Sequence, residues 1–452
     1  MTHHLLTIST AVAAIFLGTA QAQDIDENAL FGDTSMTIVD SATLAKSSVD
    51  LAGTDSAVTT FSGSMNAIAE PAVSRDWFTS RDRREVSMST LTLASLMLDA
   101  RLPFGVKAFA NGETYYRPEN GAATFTVPEL FLDVNYKRRI YFRAGKQVLQ
   151  WGRGYFWNPT DLINVEKKSF IEKIGAREGT FGVKTHIPFG TKWNIYGFLD
   201  MNHPTPVDSL AGAARFEGLF GGTEAGVALW GKRGKDPIFG LDFSTTILSW
   251  SVTGEMSITS GDNYHILDLD KTFSQPHSAT AGLPTFIFSS PKEDAVVRLS
   301  AGLMRTFDLL DVDDRLMVVG EFYFNQVGDN GNVFQNDTLK KLLTAVRVLP
   351  DSQQLMATGM IASAFEFNSL ARYYSAFFIT VSKFIISDMT LQLNGLINYN
   401  HGCAILTGGV QYATLHNFTL GCLLTGYIGP KEAEYTFMGN GASLRINAGV
   451  TF

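Results

Sequence analysis

Residues 442–452 read Ala-Ser-Leu-Arg-Ile-Asn-Ala-Gly-Val-Thr-Phe, and their alternation decides the fold. Successive side chains of an extended strand point to opposite faces. Leu444, Ile446, Ala448, Val450 and Phe452 therefore share one face, and Ser443, Arg445, Asn447, Gly449 and Thr451 share the other. The stretch is about as long as the roughly 9–11 residues that cross a bilayer as a tilted strand. A soluble sheet also accepts one greasy face, so this strand by itself does not separate the two; the rest of the chain does.

Read outward for the same alternation and for turn residues, the chain holds about eighteen strand candidates, the first near Thr59–Ala69. Their connections are expected to alternate strictly between short and long. Short ones fall at Leu102-Pro103-Phe104-Gly105, whose turn chemistry Ile187-Pro188-Phe189-Gly190 repeats, at Lys137-Arg138, at Gly221-Gly222 and at 311–314. Long ones include nearly thirty residues after Val148, then 260–292 and 327–369. That rhythm is expected of a barrel whose termini lie on one side of a membrane and whose long loops lie on the other. Trp193 and Trp250 would open strands at the inner rim, while Trp77, Trp151, Trp157 and Trp230 fall at or beyond the outer ends. Composition agrees: 41 glycines and 12% aromatics with only 18% charged residues suit many strands, tight turns and aromatic belts. The expected fold is all-β, a transmembrane antiparallel β-barrel of about 16–18 strands with long extracellular loops, spanning residues 59–452. A barrel of that size keeps an aqueous lumen unless loops fill it.

At the other end, residues 1–22 carry an apolar stretch and Ala20-Gln21-Ala22, a small-x-small cleavage signature that would leave Gln23 first. The positive charge of this signal peptide rests on the α-amino group, since no Lys or Arg precedes the apolar run. Residues 23–58 are expected to form an acidic, flexible periplasmic segment: seven acids stand against Lys46, taking −6 of the formal −8. No run downstream reaches the roughly 20 apolar residues of a spanning helix; the greasiest, Tyr373–Ile386, is broken by Ser375, Thr380, Ser382 and Lys383.

If apolar residues face lipid, parity fixes an inward set. Its bases are Lys107, Arg143, Lys184, Arg215, Arg298, Arg372 and Arg445, and its acids Glu129, Asp133, Glu217, Asp242, Glu255 and Glu321. A dry core could not hold so many charges without several kcal/mol of cost for each unpaired one. A watered channel removes the difficulty. The near balance of signs leaves selectivity to any one-sign row at the constriction. The two cysteines, Cys403 and Cys422, are expected on opposite faces and hence free.

The most distinctive internal stretch is Gly145-Lys146-Gln147-Val148-Leu149-Gln150-Trp151-Gly152-Arg153-Gly154-Tyr155-Phe156-Trp157-Asn158-Pro159-Thr160-Asp161. It resembles the strand-to-loop element of porin-like and polysaccharide-export outer-membrane families. A terminal strand closing on Phe452 likewise resembles the C-terminal signal by which Gram-negative outer-membrane barrels are recognised by the barrel-assembly machinery. The resemblance implies a class of barrel in the cell outer membrane and no particular solute. The loop has two readings: an interfacial anchor, or a constriction folded into the pore. In the second, Trp151, Tyr155 and Trp157 offer a stacking surface, Arg153 a charge gate and Asp161 a cap. Lys146 falls on the lipid-facing parity, which calls for a bulge or a rim position. A further candidate constriction is Asn336–Leu349, where Leu339, Leu342, Leu343 and Val346 recur at helical spacing behind an Asn336 or Asp337 cap.

Enzymatic function is not expected. The sequence has no G-x-S-x-G, H-E-x-x-H or Gly-rich phosphate loop, and its histidines are scattered. No cofactor or metal is expected, and the acidic balance disfavours nucleic acid. The expected partners are outer-membrane lipid, the assembly machinery and small solutes, with monomer and homotrimer both open. The leading function is a porin for small hydrophilic solutes, passive or selective for a sugar or an organic anion. A surface receptor or adhesin with a blocked lumen, and a plugged transporter of hydrophobic solutes, remain the alternatives.

Overall fold

The computed structural model describes residues 57–76, 83–119, 121–149, 151–163, 179–202, 210–264, 266–268, 271, 287–291, 294–337, 339–341, 367–413, 417–431, 433–436 and 440–452. The expectations for residues 1–56, for Trp77 and for most of 336–349 lie outside them.

Eighteen strands form one sheet. Its first half is β1 (Val58–Asp76), β2 (Arg83–Leu102), β3 (Val106–Arg117), β4 (Ala122–Tyr136), β5 (Ile140–Gln147), β6 (Thr180–Phe189), β7 (Trp193–Asp200), β8 (Ala211–Phe220) and β9 (Thr223–Lys232). Then come β10 (Ile238–Ile247) and β11 (Trp250–Ser260), followed within one long connection by a two-residue hairpin, β12 (Ile266–Leu267) and β13 (Phe288–Ser289), which stands apart from the sheet. The sheet resumes with β14 (Ala295–Leu309), β15 (Val312–Asn325), β16 (Tyr373–Val381), β17 (Met389–Asn398), β18 (Cys403–Ala413), β19 (Phe418–Ile428) and β20 (Asn440–Thr451). Each strand pairs antiparallel with the next, and β20 pairs with both β19 and β1, so the sheet closes on itself. Phe452 and Gly63 complete the seam by exchanging two 2.9 Å backbone hydrogen bonds. Closure leaves no strand edge whose N–H and C=O groups lipid would have to satisfy.

The wall is inside-out relative to a soluble protein. Along β10, Phe239, Leu241 and Phe243 are 54%, 45% and 42% exposed, whereas Asp242 between them is 4% exposed. In β20, Ile446, Val450 and Phe452 are exposed while Ser443 and Arg445 are buried. The greasy face of the terminal strand thus points out and its polar face in. Cys403 is buried and Cys422 exposed, both as free thiols.

Several details depart from the sequence reading. The β1–β2 ladder continues to Asp76 opposite Arg83, well past Ala69; backbone pairing goes on after the apolar–polar alternation has ended. Pro103–Gly105 forms one 3₁₀ turn, but Pro188 and Phe189 stay paired with Asn194 and Trp193, leaving Gly190 (φ +64°) to begin that turn. The same tripeptide therefore serves two turn geometries, decided by the strand that follows. Nor is the short–long rhythm strict: residues 399–402 make a brief connection at the long-loop end, and 382–388 a longer one at the other. Trp230 lies at the outer end of its strand as expected but faces inward, 3% exposed.

Candidate functional site

Of the connection after β5, the described residues 149 and 151–163 lie inside the barrel: Leu149, Trp151, Leu162 and Ile163 join a buried cluster with Tyr196, Phe198, Trp230 and Ile238 of β7, β9 and β10. Further along, Tyr155 lies against β14 at Gly302, and Trp157 reaches Tyr323 of β15 and Tyr374 of β16. Trp157 stacks on Tyr323 with ring centroids 5.3 Å apart and planes within 3°. The loop then returns, and Thr160 settles over Gly240 of β10. Gly240 and Gly302 face inward beneath the loop, where an added Cβ would lie 3.4 Å from Thr160 and from Tyr155 respectively.

A loop inside a barrel must find partners for its backbone amides. Two inward carboxylates provide them. Glu255 accepts from the amides of Arg153, Gly154 (2.5 Å) and Thr160 (3.0 Å) and from the Thr160 hydroxyl (2.7 Å). Glu321 accepts from the consecutive amides of Tyr155 (2.6 Å), Phe156 (3.1 Å) and Trp157 (2.7 Å). Glu129 takes the Val148 amide at 3.1 Å as the chain leaves β5. Each bond satisfies an amide that the barrel interior would otherwise leave unpaired.

Arg153 is the electrostatic knot. Its guanidinium donates to Asp242, to Glu224 (2.6 Å) and to Glu217 (2.6 Å), while Arg215 takes the Asp242 carboxylate bidentately. Arg153, Arg215, Glu217 and Asp242 are nearly dry and Glu224 is 16% exposed, so the guanidinium is committed to holding the loop against β8–β10.

The loop's tip connects with two other outer segments. The Trp157 indole donates to the Asn368 carbonyl (2.8 Å), and the Asn368 amide donates to Glu434 (2.6 Å). Glu434, in the β19–β20 connection, also accepts from Tyr374 (2.9 Å) and from the Asn398 side chain (2.6 Å). Burial pushes its carboxyl up to about 7 despite those donors. On the neighbouring β17–β18 turn, burial under Phe334 lowers the His401 imidazole to about 4, against a weak opposing pull from Asp329 at 4.0 Å.

The wall facing away from the loop is wetter. On β2–β5, Lys107 pairs with Asp99 at 3.0 Å and Arg143 with Asp133 at 2.7 Å, and these four side chains are 13–22% exposed. Arg101, Lys107, Asp133, Arg143 and Lys184 fall side by side in one row across β2–β6. Elsewhere inside, Arg445 pairs with Glu70 at 3.0 Å and Arg298 lies over the Tyr264 ring. Arg372 is half-buried just before β16, Asp161 is buried in the returning arm of the loop, and Lys146 keeps the outward parity opposite Leu130 near the rim. Asp99, Glu70 and Glu224 belong to the inward set by the same parity, whereas Glu434 and Asn368 sit in irregular connections that carry no periodic signal. Of the 336–349 stretch, Asn336 caps the Leu339 amide and Leu339 is fully buried. Among the described residues no cluster of His, Cys, Asp or Glu is arranged to hold a metal.

No protein-family model and no curated protein matches the sequence. Among solved structures the chain is similar to OccAB1 of Acinetobacter baumannii (9% identity, 87% of this chain and 96% of that one, TM-score 0.49). It is similar also to OpdL of Pseudomonas aeruginosa (9%, 87% and 98%, 0.49) and to a variant of the Rh. blastica porin (8%, 87% and 100%, 0.41). At these identities and scores none of them assigns a function to this chain.

Proposed function

We propose that this chain is an outer-membrane channel for small hydrophilic solutes, narrowed by the inserted loop 149–163. The observation that carries it is the asymmetry of the interior: the loop is packed onto β7–β11 and β14–β16, while Asp99, Lys107, Asp133 and Arg143 on the opposite wall keep solvent contact. The loop lines one side of the lumen. The row Arg101, Lys107, Asp133, Arg143 and Lys184, four cations to one acid, faces a loop side richer in carboxylates, so a solute passes between surfaces of opposite sign. The four cations favour solutes that carry a carboxylate, beside neutral sugars small enough to pass.

On this reading residues 1–22 direct export, 23–58 form an acidic periplasmic segment, and the strand ending at Phe452 is read by the assembly machinery. Liposome swelling tests the function: full-length protein reconstituted in vesicles should admit a hexose and, faster, a small carboxylate of similar size. Lys107→Gln with Arg143→Gln should slow the carboxylate relative to the hexose. Absence of swelling with every solute would favour a receptor with a blocked lumen.

A further inference from the structure

On the outside of the wall, where β6–β9 approach the long-connection end, the barrel carries a groove of about 720 Å³. Its floor is set by register. Leu199, Gly212 and Gly231 lie side by side on β7, β8 and β9, and in the next row down Gly197, Ala214 and Leu229 do the same. Small residues thus run diagonally between two leucines. A Cβ added at Gly197, Gly212 or Gly231 would meet no atom within 4 Å, so the trough opens outward. Directly beyond its outer end the chain turns through Lys232, Arg233, Gly234, Lys235 and Asp236, three cations against one acid, with Arg233 exposed.

An apolar trough on the lipid-facing wall beneath a cationic turn matches one kind of molecule. An acyl chain in the trough hides apolar surface from neither water nor empty space alone but fills a notch that straight neighbours leave unpacked. A phosphate at its head would come next to the turn that carries Arg233 and Lys235, and basic side chains attract anionic headgroups. We infer that this groove holds an anionic, phosphate-bearing acyl lipid of the outer leaflet. The inference rests on the proposal that the barrel spans a membrane with its long connections outward. A second copy fits less well, because a two-fold contact across the groove sets each cationic turn near its like-charged mate.

Native mass spectrometry of the folded full-length protein tests it, with phosphatidylglycerol and phosphatidylcholine of identical chains as probes. Phosphatidylglycerol should be retained on the order of tenfold more strongly. Arg233→Ala with Lys235→Ala should remove that preference, and Gly212→Leu with Gly231→Leu should remove retention of both lipids. The folded state of each variant is checked by heat-modifiable mobility, and if the leucine pair does not fold, the alanine pair still decides. Equal retention of the two lipids by the unaltered protein, or undiminished phosphatidylglycerol on a folded leucine variant, would overturn the site. So would a dimer that the leucine pair dissociates. The readout is independent of transport: a non-conducting barrel that retains the lipid supports the site while sinking the channel, and a conducting barrel indifferent to lipid sinks the site alone.

Discussion

Glu321 shows why a carboxylate belongs inside this wall. Its two oxygens take three consecutive loop amides, so it orders the loop by replacing water that the loop gave up. Glu321→Ala would leave the amides of Tyr155, Phe156 and Trp157 unmet, at about 1–3 kcal/mol for each buried donor. Amide exchange over 155–157 should quicken at least tenfold with β7–β11 unchanged; unaltered exchange would mean that the Trp157–Tyr323 stack holds the loop alone. Glu434 adds a pH dependence. Its carboxyl is raised from 4.5 to about 7 when docked, so the docked segment binds the proton more tightly than a free one. Docking of 433–436 is then strongest below about pH 4.5 and weakens as pH rises through about 7. His401 acts from the other side: lowered from 6.5 to about 4, it favours the packed turn above about pH 6.5 and opposes it as pH falls toward 4. Exchange at 433–436, corrected for intrinsic rate, should quicken between roughly pH 4.5 and 7 in the unaltered protein and not in Glu434→Gln. A flat profile in the unaltered protein would contradict the assignment.

At the scale of elements, the hairpins β10–β11 and β14–β15 close through Leu248-Ser249 and Leu310-Asp311, all four with φ between +50° and +66°. Such two-residue turns match the twist of the strands but favour Asn-Gly over Leu-Asp. Leu310→Asn with Asp311→Gly should stabilise the barrel by about 1 kcal/mol, raising the temperature at which folded mobility is lost in detergent; a lower temperature would contradict the turn assignment. The turns also mark where sequence reading thins out. Alternation was legible along nearly every strand because an apolar outer face and a polar inner face constrain each residue of the wall. Strand ends that run on as a two-stranded ladder, as in β1 and β2, lose that constraint. The 145–161 motif announced a special loop, and parity announced Glu217, Asp242, Glu255 and Glu321 as inward. That these meet depends on registers accumulated around the sheet, which no local pattern encodes. Inward Gly240 and Gly302 were the one available hint of a seat. Glu434 and Asn368 lie in irregular connections and gave none.

At the scale of the molecule, closure, an apolar exterior and a polar interior follow from one rule applied strand after strand, and the loop packs against one side of the interior while Asp99, Lys107, Asp133 and Arg143 on another keep solvent contact. Arg153 balances three carboxylates on the packed side. Arg153→Ala should move the reversal potential in a salt gradient toward cations; a move toward anions would contradict the charge arrangement. The most direct test is single-channel recording of the full-length protein in a planar bilayer, beside a variant in which residues 151–161 are replaced by a short Gly-Ser linker. The unaltered barrel should give stable conductance steps, and the linker variant larger ones, because the loop narrows a lumen that is already open. A folded unaltered barrel that never conducts, even if the linker variant does, would contradict it.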